Sequence, residues 1–334
     1  MEIEKLESWY NKNRRELPFR LIKDPYRIWV SEIMLQQTQV DTVLPYYDRF
    51  LKVYPSVVEL AQTSEETLHK MVEGLGYYRR FGNMLLAARE IVEKHGGKFP
   101  NTYDDIRALP GIGKYTAGAI LSIAYNQPYS ALDGNVIRVL SRYLGIQGDM
   151  RQEKNRKHLD TINQSLIEKA HPEIYTQAVM ELGALVCKPT KPLCAECPLR
   201  ETCFALAHRA VEDYPEISKT KAKKTLHFVT FILRKNGQLL LKKREENLLK
   251  GMYLYPQVEA STLDEALEQM KNIGVTVSIT RHRGIVKHVF SHQTWIMDVY
   301  EAEVLKGIPE GCILVSDEMF EKLPMAVAHK KIVM

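Results

Sequence analysis

Four of the five cysteines in this 334-residue chain fall between positions 187 and 203, and no other feature restricts its fold so tightly. The run reads Cys187-x6-Cys194-x2-Cys197-x5-Cys203, with Pro189, Pro192 and Pro198 between the thiols. An odd cysteine total, and a start (MEIEKLESWYNKNRRELPFR) without a signal-peptide core, argue against a disulfide framework. Thiolates spaced in this way can wrap a compact inorganic centre. A closed four-cysteine zinc site is the alternative. The long first gap and the lack of paired CxxC knuckles favour an iron–sulfur cluster, which suits cysteine-only ligation. Cys312 stands far from the others and is expected to be a small buried hydrophobe. No apolar run reaches the ~18 residues of a membrane span, so neither membrane insertion nor secretion is expected.

Length allows about two domains at ~150 residues each, and the texture of the chain changes near position 215. Residues 1 to about 210 read as helices. IWVSEIMLQQTQVDTVLPYYDRFL carries Ile33, Val40, Val43 and Leu44 at helical spacing, and SEETLHKMVEGLG, RRFGNMLLAAREIVEKHG, KYTAGAILSIAY and GNVIRVLSRYLG behave alike. Gly74, Gly96 and Gly145 supply stop signals, and Ser64 a start signal. YPEISKTKAKK, with lysines at 219, 221, 223 and 224, reads as an exposed basic linker. Beyond it, two β-rich runs flank Lys235-Asn236-Gly237, a hairpin signal; a helix (TLDEALEQMKNIG) follows, then strands in VTVSIT, GIVKHVF and TWIMDVYEAEVL. The expected division is a mainly α region over 1–214, a linker over 215–224 and an α+β domain over 225–334.

Lys and Arg exceed Asp and Glu by 46 − 41 = 5, which permits a polyanionic partner without demanding one. The segment LPGIGKYTAG over 109–118 is more specific. Gly111-x-Gly113 between two helices lets backbone N–H groups approach an anion at the positive end of the second helix. It is not a dinucleotide fingerprint, because no strand precedes it. A helix–hairpin–helix of this kind grips DNA phosphate without reading sequence. Asp133 opens the helix VIRVLSRYLG and could be a simple N-cap. Glu32, among Trp29, Val30, Ile33, Met34 and Leu35, is harder to explain structurally; burial there would raise its pKa. The helix bearing Glu32, Gln36 and Gln39 would also present amides to base edges. A protonated acid beside an ionised carboxylate is the arrangement that breaks glycosidic bonds.

Taken together, the cysteine quartet, LPGIGKYTAG, LDGNV and WVSEIMLQQTQV resemble the MutY adenine DNA glycosylases of the helix–hairpin–helix superfamily, along nearly the whole chain. The resemblance implies a helix–hairpin–helix glycosylase region with an iron–sulfur loop, and a Nudix-like C-terminal domain that recognises 8-oxoguanine. It implies one 4Fe-4S cluster on Cys187, Cys194, Cys197 and Cys203. Glu32 would protonate adenine N7 and Asp133 would stabilise the oxocarbenium-like sugar. Tyr115 stands where related endonuclease III lyases carry a nucleophilic lysine, so a simple glycosylase is expected. Lys114, Gly111 and Gly113 would hold phosphate, with Asn135 also on the DNA side. Gln37 and Tyr77 match residues that fill the duplex around the lesion, with core packing the rival reading for one of Tyr77 and Tyr78. Arg15, Phe19, Arg20 and Gln177 match the adenine pocket, although many members carry Trp where this chain has Phe19. Phe290, Ser291 and His292 match the reader of 8-oxoguanine.

The expected function is removal of adenine, flipped out of the duplex, from A:8-oxoguanine or A:G mispairs. A monomer acting on double-stranded DNA is expected, in the cytoplasm or wherever the genomic DNA resides. An endonuclease III-like lyase is the nearest rival, and a non-catalytic DNA-binding protein or a Nudix hydrolase are the others. LDEALEQMKNIGV lacks the glutamate set of a Nudix hydrolase, so the second domain is expected to bind rather than cleave.

Overall fold

The computed structural model describes residues 1–218 and 222–332; Lys219 and Lys221 of the expected linker lie outside them. As far as Ala207 the α-helices are α1 (Ile3–Asn13), α2 (Pro18–Leu21), α3 (Pro25–Leu35), α4 (Val40–Val53), α5 (Val57–Gln62), α6 (Glu65–Met71), α7 (Arg79–His95), α8 (Tyr103–Ala108), α9 (Lys114–Tyr125), α10 (Gly134–Leu144), α11 (Glu153–Ile167), α12 (Pro172–Leu185) and α13 (Phe204–Ala207). By packing the chain divides into two compact units, 1–61 with 86–220, and 62–85 with 221–334. The second unit therefore takes in a stretch from inside the helical sequence.

In the first unit α12 packs against α1, α9 and α10, and α3 against α9. Leu6 and Tyr10 of α1 meet Val136, Val139 and Leu140 of α10 and Val179 and Leu182 of α12 in one buried cluster, with Cys187, Cys197 and Cys203 packed at its edge. The segment that reads as one helix from Ile28 to Leu51 is two. Asp24 caps α3 by accepting from Arg27 N–H at 2.9 Å, but α3 stops at Leu35, and Gln37 sits at φ +57°. No Gly or Pro marks the break, so periodicity alone runs through it. Gln36 and Gln39 consequently do not share a helix with Glu32. Between α8 and α9 the chain turns through Gly111 at φ +76°, a backbone region that L side chains rarely adopt. Gly118 in α9 answers a different demand. A Cβ there would lie 2.1 Å from the Ser130 carbonyl oxygen, so only glycine lets α9 approach the segment that leads to Asp133.

In the second unit Ser64 caps α6 by accepting from Thr67 N–H at 3.0 Å, and the two hydroxyls pair at 2.8 Å. Seven strands form one sheet: β1 (Lys224–Lys235), β2 (Gln238–Lys243), β3 (Tyr253–Leu254), β4 (Gln257–Glu259), β5 (Thr276–Val289), β6 (Gln293–Lys306) and β7 (Cys312–Val315). The main order is β3-β2-β1-β6-β5, with β1 and β6 parallel; β4 adds to β1 and β7 to β2. The expected hairpin joins β1 to β2, with Asn236 and Gly237 both at positive φ. VTVSIT and GIVKHVF, read as separate strands, are the single strand β5. Register shifts around Arg281 and Gly284 absorb the polar stretch that had suggested a break. One core, on Trp295, Met297, Tyr255 and Leu241, is distinct from a second, on Phe231, Leu233 and Met270, the last from α14 (Leu263–Asn272).

Candidate active site

α3, α9 and the start of α10 bring three ionisable side chains to one cavity of about 800 Å³ in the helical unit. Tyr115, in the first turn of α9, donates its hydroxyl to Glu32 Oε2 at 2.6 Å. Burial pushes the Glu32 carboxyl up to about 7; the Tyr115 hydrogen bond pulls down, the nearby Asp133 charge pushes up, and Arg20 pulls down. The same burial, with Glu32 beside it, holds the Tyr115 phenol well above its ordinary value.

Asp133 serves the helix and faces the cavity at once. Its Oδ1 accepts from Val136 N–H at 2.6 Å, which caps α10, and its Oδ2 accepts from Asn135 Nδ2 at 2.9 Å. Burial raises this carboxyl too, against the opposing pull of those donors. Asn135 in turn accepts from Arg138 at 2.8 Å, and Arg138 donates to the carbonyls of Gly183 (2.8 Å) and Cys187 (2.7 Å).

Arg15, Phe19 and Arg20 line the same cavity with Gln37 and Gln177. Behind the arginines lies Glu181, which the sequence reading passed over. It is wholly buried. It accepts from the backbone and guanidinium of Arg15 at 2.7–2.9 Å and pairs with Arg20 at 2.8 Å. Burial would raise its carboxyl, but the two arginines outweigh that and hold it below the usual range. The signal was available: Glu181 is a lone charge in the apolar run AVMELGALV, the feature that marked Glu32. Phe19 meets Tyr47 edge-on at 5.6 Å, and Gln177 donates to the Glu173 carbonyl at 2.9 Å.

Other expected site residues stand apart from this cavity. Lys114 does not line it, and its ammonium pairs with Asp160. Tyr77 and Tyr78, in the second unit, have opposite environments: Tyr78 is buried, whereas Tyr77 is 53 % exposed at φ +55°. Phe290, Ser291 and His292 form the β5–β6 turn, closed by Phe290 N–H on the Gln293 carbonyl at 2.8 Å. Phe290 rests edge-on against Trp295 and His288, while Ser291 and His292 are exposed.

Among the described residues no three His, Cys, Asp or Glu side chains converge on a point the size of one metal ion. The four cysteines instead share a small apolar cavity with Arg142. Burial above all, with charge on the other three cysteines adding to it, pushes the Cys197 thiol up to about 11. Arg142, also missed from sequence, is buried and braces the loop through the carbonyls of Lys188 (2.7 Å), Pro189 (3.0 Å) and Tyr214 (3.0 Å). Its guanidinium lies 3.5 Å from Cys187 Sγ. An all-sulfur donor set around an apolar hollow fits a polynuclear cluster better than a single ion.

Comparison with known proteins agrees with this geometry. Residues 30–164 match the HhH-GPD superfamily of base excision DNA repair proteins, and residues 229–334 match the NUDIX domain. The chain is 36% identical to an adenine DNA glycosylase of Buchnera aphidicola, over 85% of this chain and 81% of that one. With the human adenine DNA glycosylase it shares 32% identity over 97% of its own length and 72% of the relative's. A thermostable thymine-DNA glycosylase superposes with a TM-score of 0.57 at 28% identity, covering 62% of this chain and 95% of that one. A trapped endonuclease III–DNA intermediate, 22% identical, superposes with a TM-score of 0.53 over 62% of this chain and 94% of its own, and so shares the fold. The helical region thus has the helix–hairpin–helix glycosylase fold and the C-terminal region is Nudix-like.

Proposed function

We propose that this chain, which belongs to the adenine DNA glycosylase family, hydrolyses the N-glycosidic bond of adenine mispaired with 8-oxoguanine or guanine in double-stranded DNA. The observation that carries this reading is the pairing of Glu32, pushed up to about 7, with a second carboxylate, Asp133, at one cavity. The Tyr115 hydroxyl occupies Glu32 Oε2, so the acid proton belongs on Oε1. Transferred to N7 of an extruded adenine, it lets the C1′–N9 electron pair leave with the base. Asp133 offsets the cation that develops on the sugar, water adds at C1′, and the proton it releases restores Glu32.

The same geometry favours a simple glycosylase over a lyase. A phenol forms no Schiff base, and the neighbouring amine of Lys114 is engaged with Asp160. An end-labelled A:8-oxoguanine duplex tests this directly. Strand breaks only after alkali are expected; breaks without it would assign a lyase, and none under either condition would remove the reading.

Rate should depend on pH in a defined direction. Glu32 acts protonated, so excision should hold below about pH 7 and fall tenfold per unit above it, until another step limits. Tyr115→Phe removes a bond that stabilises ionised Glu32, and should move this limb to higher pH. A limb unmoved by that change would separate Tyr115 from the acid.

The Cys187–Cys203 loop is assigned one 4Fe-4S cluster, held by the four thiolates; when bound it supplies a rigid, charged organising centre for the loop. The purified protein should contain iron and absorb in the visible, and Cys197→Ser should lower soluble yield. Stoichiometric zinc without visible absorbance would overturn the assignment. Recognition of 8-oxoguanine is assigned to the β5–β6 turn. Phe290→Ala with Ser291→Ala should erode the preference for A:8-oxoguanine over A:G, since each lost hydrogen bond or contact is worth ~1 kcal/mol. An unchanged ratio would place the discrimination elsewhere.

A further inference from the structure

α6 and the turn after it are fastened to the C-terminal sheet by charged groups rather than by greasy contact alone. Glu73 has an almost fully buried side chain, yet all its capacity is used. Its Oε1 accepts from the backbone N–H of Met325 at 2.8 Å, and its Oε2 pairs with Lys330 at 2.6 Å and with Lys70 at 3.2 Å. Lys70 also donates to the Leu323 carbonyl at 3.1 Å. Two turns earlier in the chain, Glu66 accepts from the Tyr253 hydroxyl at 3.0 Å and pairs with Lys243 at 3.3 Å. Burying a carboxylate costs stability that its partners only partly return, so such a knot is best understood as fixing geometry.

What it fixes is the next four residues. Glu73 is followed by a turn that ends at Tyr77, an aromatic held in the left-handed backbone region with half its surface exposed. The far side of the turn is pinned by buried Tyr78, whose hydroxyl accepts from Gly74 N–H at 3.0 Å. On the sheet side, Met325 and Tyr253 are bridged and share a core with Trp295, on which Phe290 of the β5–β6 turn rests at 4.9 Å. A continuous packed route therefore runs from Phe290 through Trp295 and Met325 to Glu73 and Tyr77.

We propose that Glu73, with Lys330 and the Met325 backbone, is a positioning device that sets Tyr77 according to what the β5–β6 turn has bound. The proposal rests on the reading that this turn recognises 8-oxoguanine opposite the adenine to be removed. It makes Tyr77 an element of lesion discrimination governed from the C-terminal sheet.

The test uses the full chain with Glu73→Gln, Glu73→Ala and Lys330→Met, the last a half-exposed lysine whose loss should leave folding intact. Single-turnover rates on A:8-oxoguanine and A:G duplexes are normalised by active-site titration. Hydrogen exchange of residues 74–80 is followed with and without each duplex. In Glu73→Ala and Lys330→Met the preference for A:8-oxoguanine should fall by about fivefold or more, with the A:G rate kept within about twofold. Protection of 74–80 by the 8-oxoguanine duplex should be lost with it. Glu73→Gln, whose amide oxygen still accepts from Met325 N–H, should lie between. A parallel fall on both duplexes, or an unchanged ratio with protection intact, overturns the proposal. Absence of any preference in the unsubstituted chain would instead overturn the 8-oxoguanine reading, and exchange at 74–80 would still judge the coupling by itself.

Discussion

Glu32→Gln is expected to lower single-turnover excision of adenine by about a thousandfold or more, the upper part of the range for a lost general acid, with duplex affinity little changed. The substitution keeps the shape of the side chain and a group that can accept from the Tyr115 hydroxyl 2.6 Å away. It removes only the proton that has to reach N7. Packing should survive, because the site is already built to hold a neutral group: burial has pushed the carboxyl to about 7, so at neutral pH the uncharged form is well populated. The check is a single-turnover time course with enzyme in excess, beside a binding isotherm on the same duplex. A near-normal rate would mean that the proton comes from elsewhere.

Asp133→Asn should cost about a hundred- to a thousandfold in the same assay, the range seen when one preorganised electrostatic contact is removed. The substitution keeps one of the carboxylate's two hydrogen bonds, because the amide oxygen can still accept from Val136 N–H while the amide nitrogen cannot accept from Asn135 Nδ2. Asp133 caps α10 through Val136 N–H, and asparagine caps helices about as well, so the helix should not unravel. The charge that faces the developing sugar cation is lost. A thermal midpoint close to that of the unsubstituted protein, together with the fall in rate, would assign the effect to charge. Equal losses of stability and rate would return Asp133 to a purely structural role.

Much of this arrangement could be read from residue order. Glu32 is a carboxylate placed where the local pattern calls for an apolar residue, and such a conflict between position and chemistry is visible in one dimension, whereas Asp133 fits its cap position and stands out only through the LDGNV motif around it. Glu181 carried the same signal but lacks a motif around it, and its partners Arg15 and Arg20 lie about 160 residues upstream, so nothing local announced the pair. The α3–α4 break was hidden because Gln37 adopts a positive φ without glycine; tertiary context overrides local preference there. β5 was divided because a bulge and a turn share the same polar vocabulary around Gly284. Tyr77 and Tyr78 look alike on paper. Only the packed structure, which buries one and exposes the other, tells them apart.

The fastening of Glu73 to Met325 and Lys330 also has a consequence for the order in which the molecule is made. Its partners lie 252 and 257 residues further along the chain. At about 5–20 residues per second, Glu73 is made roughly ten to fifty seconds before those partners exist. Through that interval Glu73, whose side chain is almost fully buried in the finished protein, lacks two of the groups that hold it there. The stretch that carries Glu73 is therefore left unfastened until translation has passed Lys330. Premature termination anywhere before Met325 would leave the Glu73 carboxylate without Met325 N–H and Lys330, and the turn to Tyr77 unfastened, whether or not Glu32 and Asp133 are already in place.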